Sequence, residues 1–199
     1  MSRIFDKHLL FEKWNNPYFV LEFIKALSFL SFSIIINYYA VRYATLNAGP
    51  PIPDTILDNI PLFNTAYIDY YLALYIQYGV LLFALTQVKQ FIFFIQGLSL
   101  LIIVRSFFVN LTQLGIPEGA VPTTSFFTQG GDLFFSGHTA LPFFAALVFW
   151  DLPLVRYIFL GLSLFFGVEV LLGHQHYSID VFAAPFITYG VFCFLKKIL

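Results

Sequence analysis

A chain of 199 residues with 59% apolar and 21% aromatic side chains, only 11% charged ones and a mean hydropathy of +0.82 lies far from the soluble average of roughly 25% charged residues. It reads as all-α: a polytopic integral membrane protein with six transmembrane helices. The formal net charge of −1, with neither a basic run nor an acidic tail, speaks against nucleic acid as a partner, and the single Cys193 excludes an intrachain disulfide.

Residues 1–17 are expected to form an N-terminal interfacial segment, and residues 18–199 a single six-helix catalytic domain without internal repeats. Ser2 to Trp14 interleaves Ile4, Phe5, Leu9, Leu10 and Phe11 with Arg3, Asp6, Lys7, Glu12 and Lys13, as either an amphipathic surface helix or an ordinary charged tail would. The apolar run after Asn15-Asn16-Pro17 is long and lacks a small-residue cleavage pattern, so it reads as a retained span. It extends from Tyr18 to Tyr43, enough to cross a hydrocarbon core that needs about 20 residues. Glu22 and Lys25 can pair near its start, and Arg42 stands near its far end.

Gly49-Pro50-Pro51, Pro53 and Pro61 punctuate a loop over Asn47 to Thr65 that cannot continue a helix. Ala66 to Gln87 and Phe91 to Leu111 read as two more spans joined by a tight turn at Val88-Lys89-Gln90, with Arg105 inside the third. A loop from Thr112 to Gly131 follows. Leu133 to Trp150, Leu154 to Gly173 and Tyr177 to Leu195 complete the six, closed by Lys196-Lys197. From Ser136 to Trp150 the fourth span has too few residues, at about 1.5 Å each, to cross a roughly 30 Å core. His138 is therefore expected below the membrane surface, beside a helix start whose N–H groups suit an anion.

Lys and Arg outside the spans fall on one side, at Arg3, Lys7, Lys13, Lys89, Arg156, Lys196 and Lys197, while the loops 47–65 and 112–131 contain none. The positive-inside rule then makes both termini cytoplasmic. It also carries Arg105, Asp132, His138, His174, His176 and Asp180 towards the extracytoplasmic face. Ionisable groups at membrane depth are expensive and mark function by default. His176 and Asp180 have the i, i+4 spacing that puts them on one helix face. The plainer alternative is that these are interfacial polar residues capping helix ends.

Ser136-Gly137-His138-Thr139, followed by His176-Tyr177-Ser178-Ile179-Asp180, resembles the type-2 phosphatidic acid phosphatase superfamily. The longer strings Gly131-Asp132-Leu133-Phe134-Phe135-Ser136-Gly137-His138-Thr139 and His174-Gln175-His176-Tyr177-Ser178-Ile179-Asp180-Val181 are more similar to its sphingomyelin synthase branch. The resemblance implies a phosphohistidine mechanism with no metal and no cofactor. His176 is the nucleophile, Asp180 holds its imidazole, and His138 protonates the leaving alkoxide before deprotonating the incoming hydroxyl. Imidazoles suit both roles. Implied partners are a phospholipid substrate and either water or a lipid alcohol such as ceramide or diacylglycerol.

The departures from the pattern are informative. Phosphatases of the superfamily usually carry a Lys, six residues and Arg-Pro before the Ser-Gly-His motif, and Ser-Arg seven residues before the nucleophile. Here Arg105 is followed by Ser106 and preceded at seven residues by Leu98, and Glu169-Val170 occupies the place of Ser-Arg. The expected substrate-binding set is Arg105, Ser136, Gly137, Asp132, Glu169 and His174, with Arg42 a further cation. Glu169 is either a headgroup or proton-relay carboxylate or a buried structural one, and His174 either a donor behind the catalytic residues or a helix-end polar residue. Asp132 and Glu118, near Phe126 and Phe127, offer charge and aromatic faces to a choline or ethanolamine cation. A cation-poor site favours a phosphodiester, with one negative charge, over a monoester with nearly two.

Overall fold

Asn16 starts the first helix: its side chain accepts the Tyr18 N–H at 3.0 Å and Pro17 occupies the first helical turn, where a missing N–H costs nothing. In the computed structural model, which describes residues 12–121 and 131–199, helix α1 runs over Pro17–Leu46. The proposed surface helix over Ser2 to Trp14 falls almost wholly outside the described residues, as do Phe126 and Phe127. Asn47 ends α1 by returning its backbone N–H and side-chain amide to the Tyr43 carbonyl.

The second helical segment covers residues 66–86 without a break, with a π-helical stretch at Ile68–Leu72 leading into α2, Ala73–Thr86. The turn to α3, Val88–Thr112, is tighter than the sequence suggests. Gln87 alone makes it, donating its N–H to the Ala84 carbonyl, so Val88 to Gln90 are already helical. Helix α4 covers Gly137–Val148, α5 Pro153–Leu172 and α6 Ser178–Ile198. Among the described residues there is no strand, and four helices are long and apolar enough to cross a membrane, namely those at Pro17–Leu46, Gln90–Thr112, Pro153–Leu172 and Ser178–Ile198.

Successive helices alternate in direction. Gly131 donates its N–H to Thr45 near the end of α1, Gly49 donates to the Gln113 carbonyl beyond α3, and Phe63 donates to the Leu172 carbonyl at the end of α5. The ends of α1, α3 and α5 thus meet the starts of α4 and α6, where the Ser136 N–H is bonded to the Asp180 carbonyl at 3.0 Å. At the other end lie the Gln87 turn, the Phe149–Leu152 turn, Pro17 and Ile198.

Aromatic rings fill the middle. Phe94 of α3 packs on Phe144 and Phe149 with ring centroids 5.7 Å away in each case, and all three are buried. Gly97 makes the notch for Phe144, since a Cβ there would come within 2.1 Å of its ring. Small residues that admit close helix approach are how helices pack where lipid supplies no hydrophobic drive. Outward, α5 and α6 expose Leu164, Phe165, Phe182 and Phe186, the surface of an integral membrane protein.

Candidate active site

The fourth helix starts later than its apolar run. Gly131 to Ser136 is not helical and bends at Phe134 and Phe135, and Arg105 takes up its polar groups. Its Nε donates to the Phe135 carbonyl at 2.7 Å, one terminal nitrogen donates to the Asp132 carbonyl at 2.9 Å, and the other is ion-paired with the Asp132 carboxylate. Arg105 and Asp132 are largely buried, with side-chain exposures of 13% and 7%. The guanidinium lies beneath Gly137, 3.6 Å from where a Cβ would stand.

Ser136 caps α4 through Thr139, whose N–H it accepts at 3.4 Å, and Ser163 of α5 binds the Thr139 carbonyl at 2.8 Å. His138 in the first turn therefore faces a fixed neighbourhood. Its ring centroid lies 6.4 Å from that of His176 and 5.9 Å from that of Phe166. His176 is buried, with Nδ1 3.4 Å from Asp180 Oδ2. That oxygen also accepts the Tyr177 N–H at 3.0 Å, so Asp180, three residues into α6, reaches back to cap its own helix. Nδ1 faces the carboxylate and Nε2 is left as the ring nitrogen available for chemistry.

The other expected residues divide. Glu169 is buried in the last turns of α5. His174 follows the end of that helix with φ of 51°, and its N–H and that of Gln175 return to the Leu171 and Val170 carbonyls. This is a left-handed helix stop usually made by glycine, and the ring nitrogen Nδ1 lies 3.4 Å from the Glu118 carbonyl oxygen. Asp132 sits against Arg105, whose guanidinium is its ion-pair partner. Arg42 is exposed on α1.

Asp54 is the residue that sequence reasoning missed. Its Oδ2 accepts the Ser178 N–H at 2.7 Å and its Oδ1 accepts those of Ile56 and Leu57 at 2.9 and 3.1 Å. Burial opposes its ionisation, but these three N–H groups and the Ser178 hydroxyl outweigh it and hold the carboxyl below its ordinary range. Beside it, the buried Tyr177 hydroxyl receives the Ile52 N–H at 3.0 Å and donates to the Gly115 carbonyl at 2.9 Å. Gly115 must be glycine, because a Cβ would fall 2.3 Å from the Gly49 carbonyl oxygen. Above this floor the loops enclose a cleft of about 620 Å³ lined in part by Asp54, Asp58, Glu118, His174 and Tyr177.

A comparison with curated proteins returned no match. Residues 129–198 match the family described as PAP2 superfamily C-terminal, a stretch that takes in α4, α5, α6 and both histidine motifs. That match supports the type-2 phosphatidic acid phosphatase superfamily, and with it a phosphatase or phosphotransferase acting on phosphate esters, as the kind of protein to which this chain is similar.

Proposed function

We propose that the protein is a lipid headgroup phosphotransferase resembling sphingomyelin synthase, acting on zwitterionic phosphodiester lipids through a phosphohistidine at His176. The observation that carries this reading is the pair of imidazoles at one end of the bundle. His138 and His176 lie 6.4 Å apart by centroid, about twice the 3–3.5 Å approach that reacting atoms need, so a phosphorus atom can sit between them. His176 Nε2 attacks phosphorus, the bond from phosphorus to the glycerol oxygen breaks, and His138 gives that oxygen its proton, releasing diacylglycerol. An acceptor hydroxyl then loses its proton to His138 and attacks phosphorus, the N–P bond breaks, and neutral His176 is restored. Asp180 stabilises the positive imidazole in between. Arg105, Ser136 and Gly137 cradle the phosphoryl oxygens. His174 lines the loop cleft, and Glu169, buried in α5, serves as the headgroup or proton-relay carboxylate.

The charge balance favours the diester. Arg105 is already neutralised by Asp132, and the loop cleft carries Asp54, Asp58 and Glu118, which suits a cationic headgroup better than a dianion.

Six spans and an extracytoplasmic site complete the reading. Residues 66–86 are continuously helical and at about 1.5 Å per residue reach across a core. α4, with 12 residues, reaches only part way and leaves its catalytic start below the surface. Lys13, Lys89, Arg156, Lys196 and Lys197 sit at the end of the bundle opposite the site, which supports cytoplasmic termini. Product analysis by mass spectrometry tests the function, with labelled phosphatidylcholine, phosphatidylethanolamine and phosphatidate supplied with and without ceramide. Headgroup transfer to ceramide or diacylglycerol is expected. Release of free phosphocholine or phosphate to water alone would make the enzyme a hydrolase of the same chemistry.

A further inference from the structure

His176 occupies a non-helical turn between α5 and α6, and a nucleophile on a turn is only as well aimed as the turn is held. The element that holds it is distant in sequence. Asp54, only 8% exposed, bonds the Ser178 N–H with one carboxylate oxygen and the Ile56 and Leu57 N–H groups with the other. Asp58 Oδ2 in turn accepts the Asp54 N–H at 3.1 Å. Tyr177, between His176 and Ser178, is pinned through its hydroxyl to Ile52 and Gly115 and buried in a small cluster with Leu57 and Leu133, apart from the main core.

Resting on the reading of His176 as nucleophile, we infer that Asp54 is a positioning residue: its carboxylate locks the start of α6 and so fixes His176 and Asp180 against His138. The carboxylate also lies at the positive end of the α6 dipole, where an anion is favoured. An amide cannot replace it, since Asn offers one acceptor oxygen and would turn an N–H₂ group towards one set of donors.

Two variants remove the two ends of the bond. Asp54→Ala deletes the acceptor. Ser178→Pro deletes both Ser178 donors, the N–H and the hydroxyl, with little other cost, because Ser178 is the first residue of α6 and Tyr177 before it has φ −69° and ψ 156°, the conformation that a following proline prefers. Each is expected to lower kcat about 10- to 100-fold, the range of a lost charge-assisted hydrogen bond or of slight misplacement of a reacting group. KM for phosphatidylcholine should stay within about threefold, and the double variant should be no worse than the poorer single one, since both remove one interaction. Hydrogen exchange reads the lock without any turnover. Amides over 176–182 should lose protection about 10-fold or more in either variant, while 186–195 keep theirs. Unchanged exchange over 176–182, or a variant kcat equal to that of a wild type that turns over lipid, overturns the inference. A wild type inactive on every lipid but showing the exchange difference would overturn the function and leave the lock standing.

Discussion

Arg105 of α3 commits its guanidinium to the non-helical segment that precedes α4, binding the Asp132 carboxylate, the Asp132 carbonyl and the Phe135 carbonyl together. The cation that faces the Ser136-Gly137 turn therefore arrives already neutralised. That makes Asp132 a lever on substrate charge. Asp132→Asn leaves an acceptor for Arg105 but frees one positive charge. The ratio of kcat/KM for phosphatidate to that for phosphatidylcholine, measured in mixed micelles at equal surface concentration, should rise about 10-fold, well within the interaction of two unit charges a few Å apart. Arg105→Ala should harm every substrate and destabilise the fold by about 3–5 kcal/mol, because it strands a buried carboxylate.

The two histidines should be separable by leaving group. His176→Ala is expected to abolish turnover of any substrate. His138→Ala should cost about 10²–10⁴-fold with phosphatidylcholine, the usual worth of a general acid. With a p-nitrophenyl phosphodiester, whose leaving group needs no proton, a burst of p-nitrophenol should survive. Asp180→Asn should retain a small residual rate. A burst that disappears equally in both histidine variants would exchange or dissolve their assigned roles.

Much of this site was legible before the structure, for a physical reason. His176 and Asp180 stand four residues apart, although His176 precedes α6 rather than sharing its face, and ionisable side chains inside apolar sequence are conspicuous. The loop over Asn47 to Thr65 carries no local sign of its part in the site, because its contribution is a hydrogen bond across 124 positions that no local pattern records. The short acidic turn Asp54-Thr55-Ile56, with its carboxylate on the backbone two and three residues later, was the signal that could have marked Asp54. Helix ends erred in the same way. The apolar run of the fourth span begins at Leu133, yet the helix waits until Gly137, because the chain bends at Phe134 and Phe135 and gives the Asp132 and Phe135 carbonyls to Arg105.

Asp54 also predicts an acid limb in stability. Its carboxyl is held below the ordinary carboxylate range in the folded protein, so its contribution is fully present above about pH 4, the unfolded value, and is lost as pH falls through the lower folded value. The melting temperature of Asp54→Asn should lie below that of the wild type by a constant margin between about pH 5 and pH 8. The margin should narrow below about pH 4. A margin that widened on acidification would have the wrong sign for a depressed carboxyl.

Packing at the centre of the bundle gives a prediction independent of chemistry. Gly97→Ala places a methyl group where the Phe144 ring now sits, and overpacking of this kind costs about 1–3 kcal/mol. Thermal unfolding in detergent should show the loss. Phe144→Leu in the same background should recover part of it by vacating the notch, whereas Phe144→Leu alone should destabilise.

Where the phosphoryl group rests between the two half-reactions is open to direct measurement. Enzyme mixed with phosphatidylcholine labelled in its phosphate, without ceramide, and quenched rapidly without acid should carry an acid-labile, base-stable label. Peptide mapping should place it on His176, and added ceramide should discharge it to a labelled lipid. Label on His138, label on no histidine in an enzyme that turns over lipid, or turnover that requires a divalent metal would contradict the mechanism.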